Sequence, residues 1–331
     1  MTVLDGREPG ALAQAAERLA EGGLVAFPTE TVYGLGARAD DDAAAARVFA
    51  VKGRPAGHPL IVHVADAQGA AAFAAALPPL AQRLMAAFWP GPLTVIVARR
   101  DGIAAAAAGG QPTIGLRCPS HPVAQALLRA AAALGVPGIA APSANRYGRL
   151  SPTRAAHVAA EFGDELMVLD GGDCEVGIES SIVDCSRGHP VLLRPGVLAR
   201  ARIEAAAGEP LADADAAAPR APGTLASHYA PRARLRLMAP SALRTALDVL
   251  PLEALPKQGP RKLAVYSRSV AVPSRLRHHR MPDDPAAAAH ELFSVLHELD
   301  DEGVQLIWVE EPPADAAWEG VRDRLQRAAA P

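Results

Sequence analysis

Residues 27–36 of this 331-residue chain have the sequence FPTETVYGLG. The apolar run that leads into them, residues 24–27, predicts a short buried strand that ends at Pro28. Polar side chains at the end of a buried strand are typical of a ligand site in an α/β protein. A capped turn without a ligand is the simpler interpretation of this stretch taken alone. The polar side chains of the turn are Thr29, Glu30, Thr31 and Tyr33.

The segments on either side favour an α/β fold for residues 1–207. Helical and strand patterns alternate along this part, which predicts a twisted, open mixed sheet with flanking helices. The predicted helices lie near residues 11–20, 42–51, 79–88, 121–134, 153–162 and 199–207. The predicted strands lie near residues 24–27, 60–64, 93–98, 113–117, 138–141, 166–170, 181–184 and 190–194.

The remainder of the chain predicts a linker and a second domain. Residues 208–232 are rich in proline and glycine and are interpreted as a linker, although SHYAP at 227–231 is too polar and aromatic for a plain spacer. Residues 233–331 contain three strand–helix pairs, which predict a small Rossmann-like domain. No Gly-x-Gly-x-x-Gly turn occurs there, so no dinucleotide is assigned. The pairs are 235–238 with 241–249, 263–266 with 286–300, and 304–309 with 314–329.

Composition limits the function classes. A net charge of −3 and a pI of about 6.4 argue against a broad nucleic-acid-binding face. The cysteines at 118, 174 and 185 fit neither a disulfide framework nor metal-ligand spacing, which indicates free thiols in a reducing compartment. The sequence shows no signal-peptide pattern and no apolar run of membrane length, so we expect a cytoplasmic protein without a membrane segment.

Cations fall near the ends of several predicted strands. Lys52 and Arg54 lie just before the strand at 60–64, whereas Arg117 and Arg194 end two others. Cations gathered at sheet edges suit a polyphosphate because charge-assisted hydrogen bonds are the strong ones, although each alone is more often a surface residue.

Other polar segments are open to simpler interpretations. Ser143 and Asn145 could only close a turn, and Ser151 before a proline is a standard helix start. Ser180 and Ser181 could likewise be turn residues. His58 and His63 lack partners at ligand spacing, so a zinc site is not expected. The two histidines and neighbouring arginines at 275–280 are interpreted as a basic surface loop, with a weak RNA-docking patch as the alternative.

Six segments together resemble the YrdC-like family in its long two-domain form, the L-threonylcarbamoyladenylate synthases. They occur in the order typical of the family and run through essentially the whole chain. The segments are PTETVYGLG at 28–36, KGRP at 52–55 with PLIVH at 59–63, APSAN at 141–145, ESSIVD at 179–184, LRPG at 193–196 and HYAP at 228–231.

The resemblance implies that L-threonine, bicarbonate and ATP become threonylcarbamoyl-AMP, pyrophosphate and water. The product would supply tRNA threonylcarbamoyladenosine modification through a separate transferase, so stable nucleic-acid binding is not expected. One alternative is a related carbamoyl-adenylate-handling enzyme, such as the YrdC-like module of hydrogenase maturation carbamoyltransferases, whose zinc-finger-like cysteines this chain lacks. A non-catalytic RNA-binding module is the other, and the pI argues against it.

The resemblance also implies a residue set. Lys52 and Arg54 would be the catalytic, phosphate-facing cations, and Mg²⁺ would be bound through the ATP phosphates rather than by protein side chains. Where the family often has asparagine, this chain has His58, whose role stays open. The ATP contacts would be Lys52, Arg54, His58, Thr113, Ser143, Asn145, Ser151, Arg194 and Tyr229, with Tyr229 closing over the nucleotide. The L-threonine contacts would be Thr31, His63, Arg117, Ala141 and Ser181, with Ser180 as an alternative to Ser181.

Overall fold

The computed structural model describes residues 2–163, 166–225, 228–251 and 262–330, which divide into two compact units. The first unit comprises residues 2–147 and 151–224, and the second comprises residues 148–150 and 225–330. The predicted linker therefore contributes residues to both units. Ser227 of its SHYAP segment lies outside the described residues.

The described part of the first unit contains seven helices and eleven strands. Its helices are α1 (Pro9–Ala20), α2 (Asp42–Lys52), α3 (Ala67–Ala70), α4 (Pro79–Phe88), α5 (Pro122–Ala133), α6 (Ala155–Phe162) and α7 (Arg200–Ala207). Its strands are β1 (Thr2–Asp5), β2 (Val25–Phe27), β3 (Gly34–Arg38), β4 (Ile61–His63), β5 (Leu93–Ala98), β6 (Thr113–Arg117), β7 (Ile139–Ala140), β8 (Met167–Asp170), β9 (Ser181–Asp184), β10 (Val191–Arg194) and β11 (Ala212–Asp213).

These strands form one mixed sheet, as the alternating pattern predicts. Their order is β1-β8-β2-β3-β7-β4-β6-β5-β9-β10-β11, with parallel pairs such as β4–β6 and antiparallel pairs such as β5–β6. Alternate strand residues enter two separate cores because successive side chains of a strand point to opposite faces. Val25 and Phe27 pack with α1 and α5, whereas Ala26 packs in the core that α2, α4, α6 and α7 share.

Strand β3 lies where the sequence indicates a glycine-containing turn. It pairs antiparallel with β2, so that Gly36 lies opposite Val25. A Cβ atom on Gly36 would approach Ile139 Cγ2 to 2.7 Å and Phe27 Cε1 to 2.8 Å. The glycine is therefore required by close packing between the strand and its neighbours, which local sequence pattern does not reveal.

The second unit has the predicted Rossmann-like character. Its described strands form a parallel sheet in the order β12-β15-β13-β14. Its strands are β12 (Arg234–Met238), β13 (Leu263–Ser267), β14 (Arg277–Arg280) and β15 (Leu306–Glu310), and its helices are α8 (Pro240–Asp248), α9 (Pro285–Asp301) and α10 (Glu319–Ala329), with a 3-10 turn at Ala316–Trp318.

The interpretation of the basic segment at 275–280 as a surface loop is wrong. Residues Arg277–Arg280 form the edge strand β14, which pairs with β13 through Ala264 and Arg277. An edge strand tolerates charge, and Arg277 forms ion pairs with Glu298 and Glu302 of α9. No helix in the described ranges is both long and apolar enough to span a membrane.

Candidate active site

The predicted threonine contacts on or next to three adjacent strands, β7, β4 and β6, lie close together in the large sheet. Parallel pairing of β4 with β6 places His63 directly opposite Arg117, and β7 pairs with β4 so that Ile139 lies opposite His63. Just beyond β7, the Ala141 N–H donates to the Ile61 carbonyl at 2.9 Å. His63, Arg117 and Ala141 are therefore neighbours in the fold, although they are distant in sequence.

Arg117 forms a buried ion pair with Glu30. The Arg117 Nη2 donates to Glu30 Oε1 at 2.7 Å, and each side chain is only 4% exposed. The Ser120 N–H donates to the second oxygen, Oε2, at 3.1 Å. The carboxylate of the PTET turn thus meets the guanidinium at the end of β6, a pairing that the sequence analysis does not predict.

The turn that carries Glu30 is stabilised by threonine hydroxyls. Thr29 Oγ1 donates to the Val32 carbonyl at 2.6 Å and accepts the Val32 N–H at 3.2 Å, which closes a tight local turn. Thr31 Oγ1 lies 2.9 Å from Thr29 Oγ1 and its side chain is fully buried. Thr31, a predicted threonine contact, is therefore held next to Glu30 by this turn.

The two candidate serines have different surroundings. Ser180 Oγ is 2.8 Å from Thr94 Oγ1 and accepts from Arg194 Nη2 at 3.2 Å. Ser181 Oγ is buried and has no hydrogen-bond partner among the described residues. A buried hydroxyl without a partner costs free energy unless a ligand or water satisfies it. Of the two hydroxyls, that of Ser181 is therefore the one that lacks a protein partner among the described residues.

Gly196 lies against Ser181. A Cβ atom at position 196 would come within 2.6 Å of Ser181 N, 2.8 Å of Ser181 Oγ and 2.9 Å of the Glu179 carbonyl. Two of these three atoms belong to the backbone and cannot move aside as a flexible side chain would. The glycine of the LRPG segment is therefore required for the approach of this loop to the start of β9.

Helix α2 places Lys52 and Arg54. The Asp41 carboxylate caps its start, and Gly53 ends it in the left-handed conformation with φ of 63°. The Lys52 ammonium is buried and donates to the carbonyls of Ser143 and Asn145 in the APSAN turn. Burial, and then the nearby Arg54 charge, hold the Lys52 pKa well below its usual value. Lys52 thus joins the end of α2 to the turn that carries two predicted ATP contacts.

Arg54 is at the centre of a second small cluster. Its Nη2 donates to the Pro59 carbonyl at 3.0 Å, and its guanidinium lies 5.7 Å from the centre of the Tyr147 ring. The Tyr147 hydroxyl is 3.2 Å from His58 Nδ1. Burial, followed by the charges of Arg54 and Arg220, lowers the pKa of His58. His58 is therefore mostly neutral around pH 7 and does not add a second cation beside Arg54.

The remaining predicted ATP contacts fall at separate points of the first unit. The Ser151 hydroxyl donates to the buried Glu179 carboxylate. Arg194 is buried and donates to the Ser180 carbonyl through Nε at 3.1 Å and Nη2 at 2.9 Å. Thr113 begins β6 and Arg117 ends it, on the same face and about 13 Å apart at the usual rise per strand residue.

His63 is a neutral imidazole. Complete burial, and then the Arg117 charge, lower its pKa to about 3, and its Nδ1 lies 3.2 Å from the Ile61 carbonyl. The uncharged His63 ring therefore adds no second positive charge beside Arg117.

Tyr229 lies in the second unit. Its ring is 1% exposed, packs 5.5 Å from the centre of the Phe293 ring and lies 5.3 Å from the Arg324 guanidinium carbon. Its backbone has φ of 62°, which is unusual for a bulky residue. The local conformation of the HYAP segment is therefore held by contacts that compensate for this strain.

The three cysteines are free and buried. Burial raises the pKa of each thiol, for Cys185 to about 12, which leaves almost no thiolate at neutral pH. Within the described residues, no group of three or more His, Cys, Asp or Glu side chains is placed to hold a metal ion.

Comparison with known proteins identifies the family of the chain. Residues 17–196 match the model of the Sua5, YciO and YrdC proteins, described as telomere recombination, and residues 198–330 match the threonylcarbamoyl-AMP synthase C-terminal domain. The chain is 36% identical to the threonylcarbamoyl-AMP synthase of Pyrococcus abyssi, over 95% of this chain and 92% of that protein. The chain belongs to the threonylcarbamoyl-AMP synthase family. The family resemblance drawn from the sequence is thereby confirmed.

Two further members support the assignment. The threonylcarbamoyl-AMP synthase of Bacillus subtilis is 36% identical over 96% of this chain and 92% of its own length. The crystal structure of Pyrococcus abyssi Sua5 complexed with L-threonine superposes with a TM-score of 0.86 and 35% identity, covering 96% of this chain and 94% of that one. The predicted α/β fold is confirmed by this similarity.

Sequence reasoning missed Glu179, Tyr147 and Thr94, and it noted Glu30 in the polar turn without giving it a partner. Glu179 lies inside the ESSIVD segment, where an acid beside hydroxyl residues is a signal that could have found it. Tyr147 and Thr94 lie outside every segment of the resemblance. Their roles depend on contacts with His58 and Ser180, which only the fold brings together.

Proposed function

We propose that this chain converts L-threonine, bicarbonate and ATP into threonylcarbamoyl-AMP, pyrophosphate and water. The observation that carries the proposal is the presence of two side chains in one region of the large sheet. Arg117 ends β6, and the Ser181 hydroxyl, which has no partner among the described residues, lies at the start of β9. Strand β5 separates the two, so they are about 10 Å apart at the usual strand spacing. Arg117 would pair with the carboxylate of L-threonine, and the Ser181 hydroxyl, which needs a partner, would bind a polar group of the same substrate.

The chemistry requires positioning more than covalent participation. The threonine amine would add to carbon dioxide from bicarbonate, with loss of water, to form a carbamate. A carbamate oxygen would then attack the α-phosphorus of ATP, and pyrophosphate would leave with the electrons of the broken phosphoanhydride bond. The buried, protonated cysteines fit a reaction that needs no protein thiolate. Arg54 would supply positive charge to the triphosphate, which is the usual protein contribution to phosphoryl chemistry.

We propose specific roles for the predicted contacts. Ser181 rather than Ser180 would bind L-threonine, because the Ser180 hydroxyl is engaged with Thr94 and Arg194. Lys52 would orient the APSAN turn toward ATP and direct its remaining N–H to the ligand. The other proposed L-threonine contacts are Thr31, His63, Arg117 and Ala141. The other proposed ATP contacts are Arg54, His58, Thr113, Ser143, Asn145, Ser151, Arg194 and Tyr229.

Mg²⁺ would arrive bound to the ATP phosphates and would supply additional charge neutralisation there. The donor set fits this arrangement because Glu179, a buried carboxylate beside a predicted ATP contact, already accepts the Ser151 hydroxyl. The chain's own cations, Lys52 and Arg54, would hold the nucleotide against the end of α2. Residues 1–207 would form the catalytic domain, 208–232 the linker and 233–331 the second domain.

The product has a defined use in the cell. Threonylcarbamoyl-AMP would donate its threonylcarbamoyl group to tRNA through a separate transferase, which makes stable nucleic-acid binding by this chain unnecessary. A net charge of −3 supports that reading. The three free thiols support a cytoplasmic location, where such thiols stay reduced.

The experiment is pyrophosphate release measured with each substrate omitted in turn. The proposal predicts release only when ATP, L-threonine and bicarbonate are all present, and loss of this release in Arg54→Ala with the fold intact by circular dichroism. Release that is independent of threonine would contradict the proposal, as would wild-type turnover in the variant.

A further inference from the structure

Glu30 is held rigidly on both of its carboxylate oxygens. Oε1 accepts from Arg117 Nη2 at 2.7 Å, and Oε2 accepts the Ser120 N–H at 3.1 Å. Ser120 belongs to the segment that directly follows Arg117, so both bonds tie the PTET turn to the end of β6. The Glu30 backbone is fixed as well, because its carbonyl accepts the Val176 N–H at 2.7 Å.

Two nitrogens of the Arg117 guanidinium donate to protein groups, and the third has no protein acceptor among the described residues. Its Nε donates to the Gly91 carbonyl at 3.4 Å, a long bond, and its Nη2 donates to Glu30. Within the part of the chain that the structure describes, no protein group accepts from Nη1. Two anchors determine the plane of a guanidinium, so the direction of Nη1 is set before any ligand binds.

We propose that Glu30 is a positioning residue that aims Arg117 Nη1 at the carboxylate of L-threonine. The inference rests on the proposed function, since it assumes that Arg117 receives the substrate carboxylate. It adds a residue that touches neither ATP nor the reacting atoms. Glu30 acts through Arg117, so its removal alters recognition of the amino acid and leaves the nucleotide contacts unchanged.

A purely electrostatic role for Glu30 makes the opposite predictions. If the carboxylate only neutralised the buried guanidinium, its charge would compete with the substrate carboxylate, and loss of that charge would tighten L-threonine binding. Two conservative variants separate the roles. Glu30→Asp keeps the charge and loses the reach to Arg117, whereas Glu30→Gln keeps the reach but has one acceptor oxygen for two donors.

The test is calorimetric titration of the full-length protein with L-threonine and, separately, with ATP. Positioning predicts that Glu30→Asp weakens L-threonine binding about tenfold, with Glu30→Gln intermediate, as expected for a loss near 1.4 kcal/mol. The affinity for ATP should change less than about twofold in both variants. Glu30→Asp retains the counter-charge of Arg117, which protects the fold from an uncompensated buried cation.

A double-mutant cycle with Arg117→Ala completes the experiment. If Glu30 acts only through Arg117, Glu30→Asp has no further effect on L-threonine affinity in the Arg117→Ala background. An equal loss in both backgrounds would overturn the inference, as would wild-type affinity in Glu30→Asp or tighter binding in Glu30→Gln. Failure of the wild-type protein to bind L-threonine would instead contradict the proposed function itself.

Discussion

Replacement of Ser181 and Ser180, one at a time, by alanine separates a substrate contact from a structural one. The structure gives the two hydroxyls opposite surroundings. Ser181 Oγ is buried without a partner among the described residues, whereas Ser180 Oγ contacts Thr94 Oγ1 at 2.8 Å and Arg194 Nη2 at 3.2 Å. Ser181→Ala should therefore weaken substrate binding with little loss of stability, whereas Ser180→Ala should mainly lower stability.

The magnitudes follow from these contacts. Ser181→Ala removes a hydroxyl that makes no protein hydrogen bond, so the free energy of unfolding should stay within about 0.5 kcal/mol of wild type or rise slightly. The same change removes one hydrogen bond to L-threonine, and a loss of about 1–3 kcal/mol corresponds to a rise of about 5-fold to 150-fold in the threonine KM. Ser180→Ala removes the Ser180 hydroxyl from its contacts with Thr94 Oγ1 and Arg194 Nη2 and leaves the buried Thr94 hydroxyl without this partner, which should lower stability by about 1–3 kcal/mol.

The assay combines urea denaturation with pyrophosphate release at varied L-threonine and saturating ATP. Ser181→Ala should shift the threonine KM with little change in the urea midpoint, and Ser180→Ala should shift the urea midpoint. The reasoning is refuted if Ser181→Ala destabilises the protein while its threonine KM equals that of wild type. That result would mean that the Ser181 hydroxyl serves the fold.

Two other predictions concern the same unit. Gly196→Ala should raise the threonine KM at least about fivefold, because the new Cβ would press on the Ser181 backbone at a cost of about 1–3 kcal/mol. The control Gly10→Ala, in α1 with open space around it, should leave turnover unchanged, and equal KM values in both variants would show that the contact at 196 is harmless. His58 should be mostly neutral between about pH 7 and pH 8, since burial and two arginines lower its pKa below the ordinary histidine value of about 6.5. The pH–rate profiles of wild type and His58→Asn should therefore superimpose in that range, and an inflection near pH 6.5 that the variant abolishes would count against this assignment.

The sequence predicts the sheet strands that are rich in apolar and β-branched residues. The segments at 93–98 and 113–117 coincide with the bounds of β5 and β6, because such residues are typical of buried strands. The sequence does not predict β3 or β14. Glycines resemble turn residues until their close packing against Phe27 and Ile139 is known, and the charges of β14 are compatible with a strand because α9 supplies carboxylates.

The candidate site shows the same division between local and tertiary information. His63 could be proposed from the PLIVH segment and Arg117 from its place at the end of a strand, but their direct pairing depends on the parallel register of β4 and β6. The partnership of Arg117 with Glu30 spans 87 positions in the sequence. Which of the adjacent serines offers a free hydroxyl also follows only from the positions of Thr94 and Arg194. Local sequence carries the residue types, and the fold determines their partners.

The most direct test of the central claim is identification of the nucleotide product. The protein is incubated with ATP, L-threonine and isotopically labelled bicarbonate, and the nucleotides are separated and analysed by mass spectrometry. We predict an AMP adduct that contains threonine and the labelled carbon. A nucleotide product without the labelled carbon, or AMP formed equally well without threonine, would contradict the account.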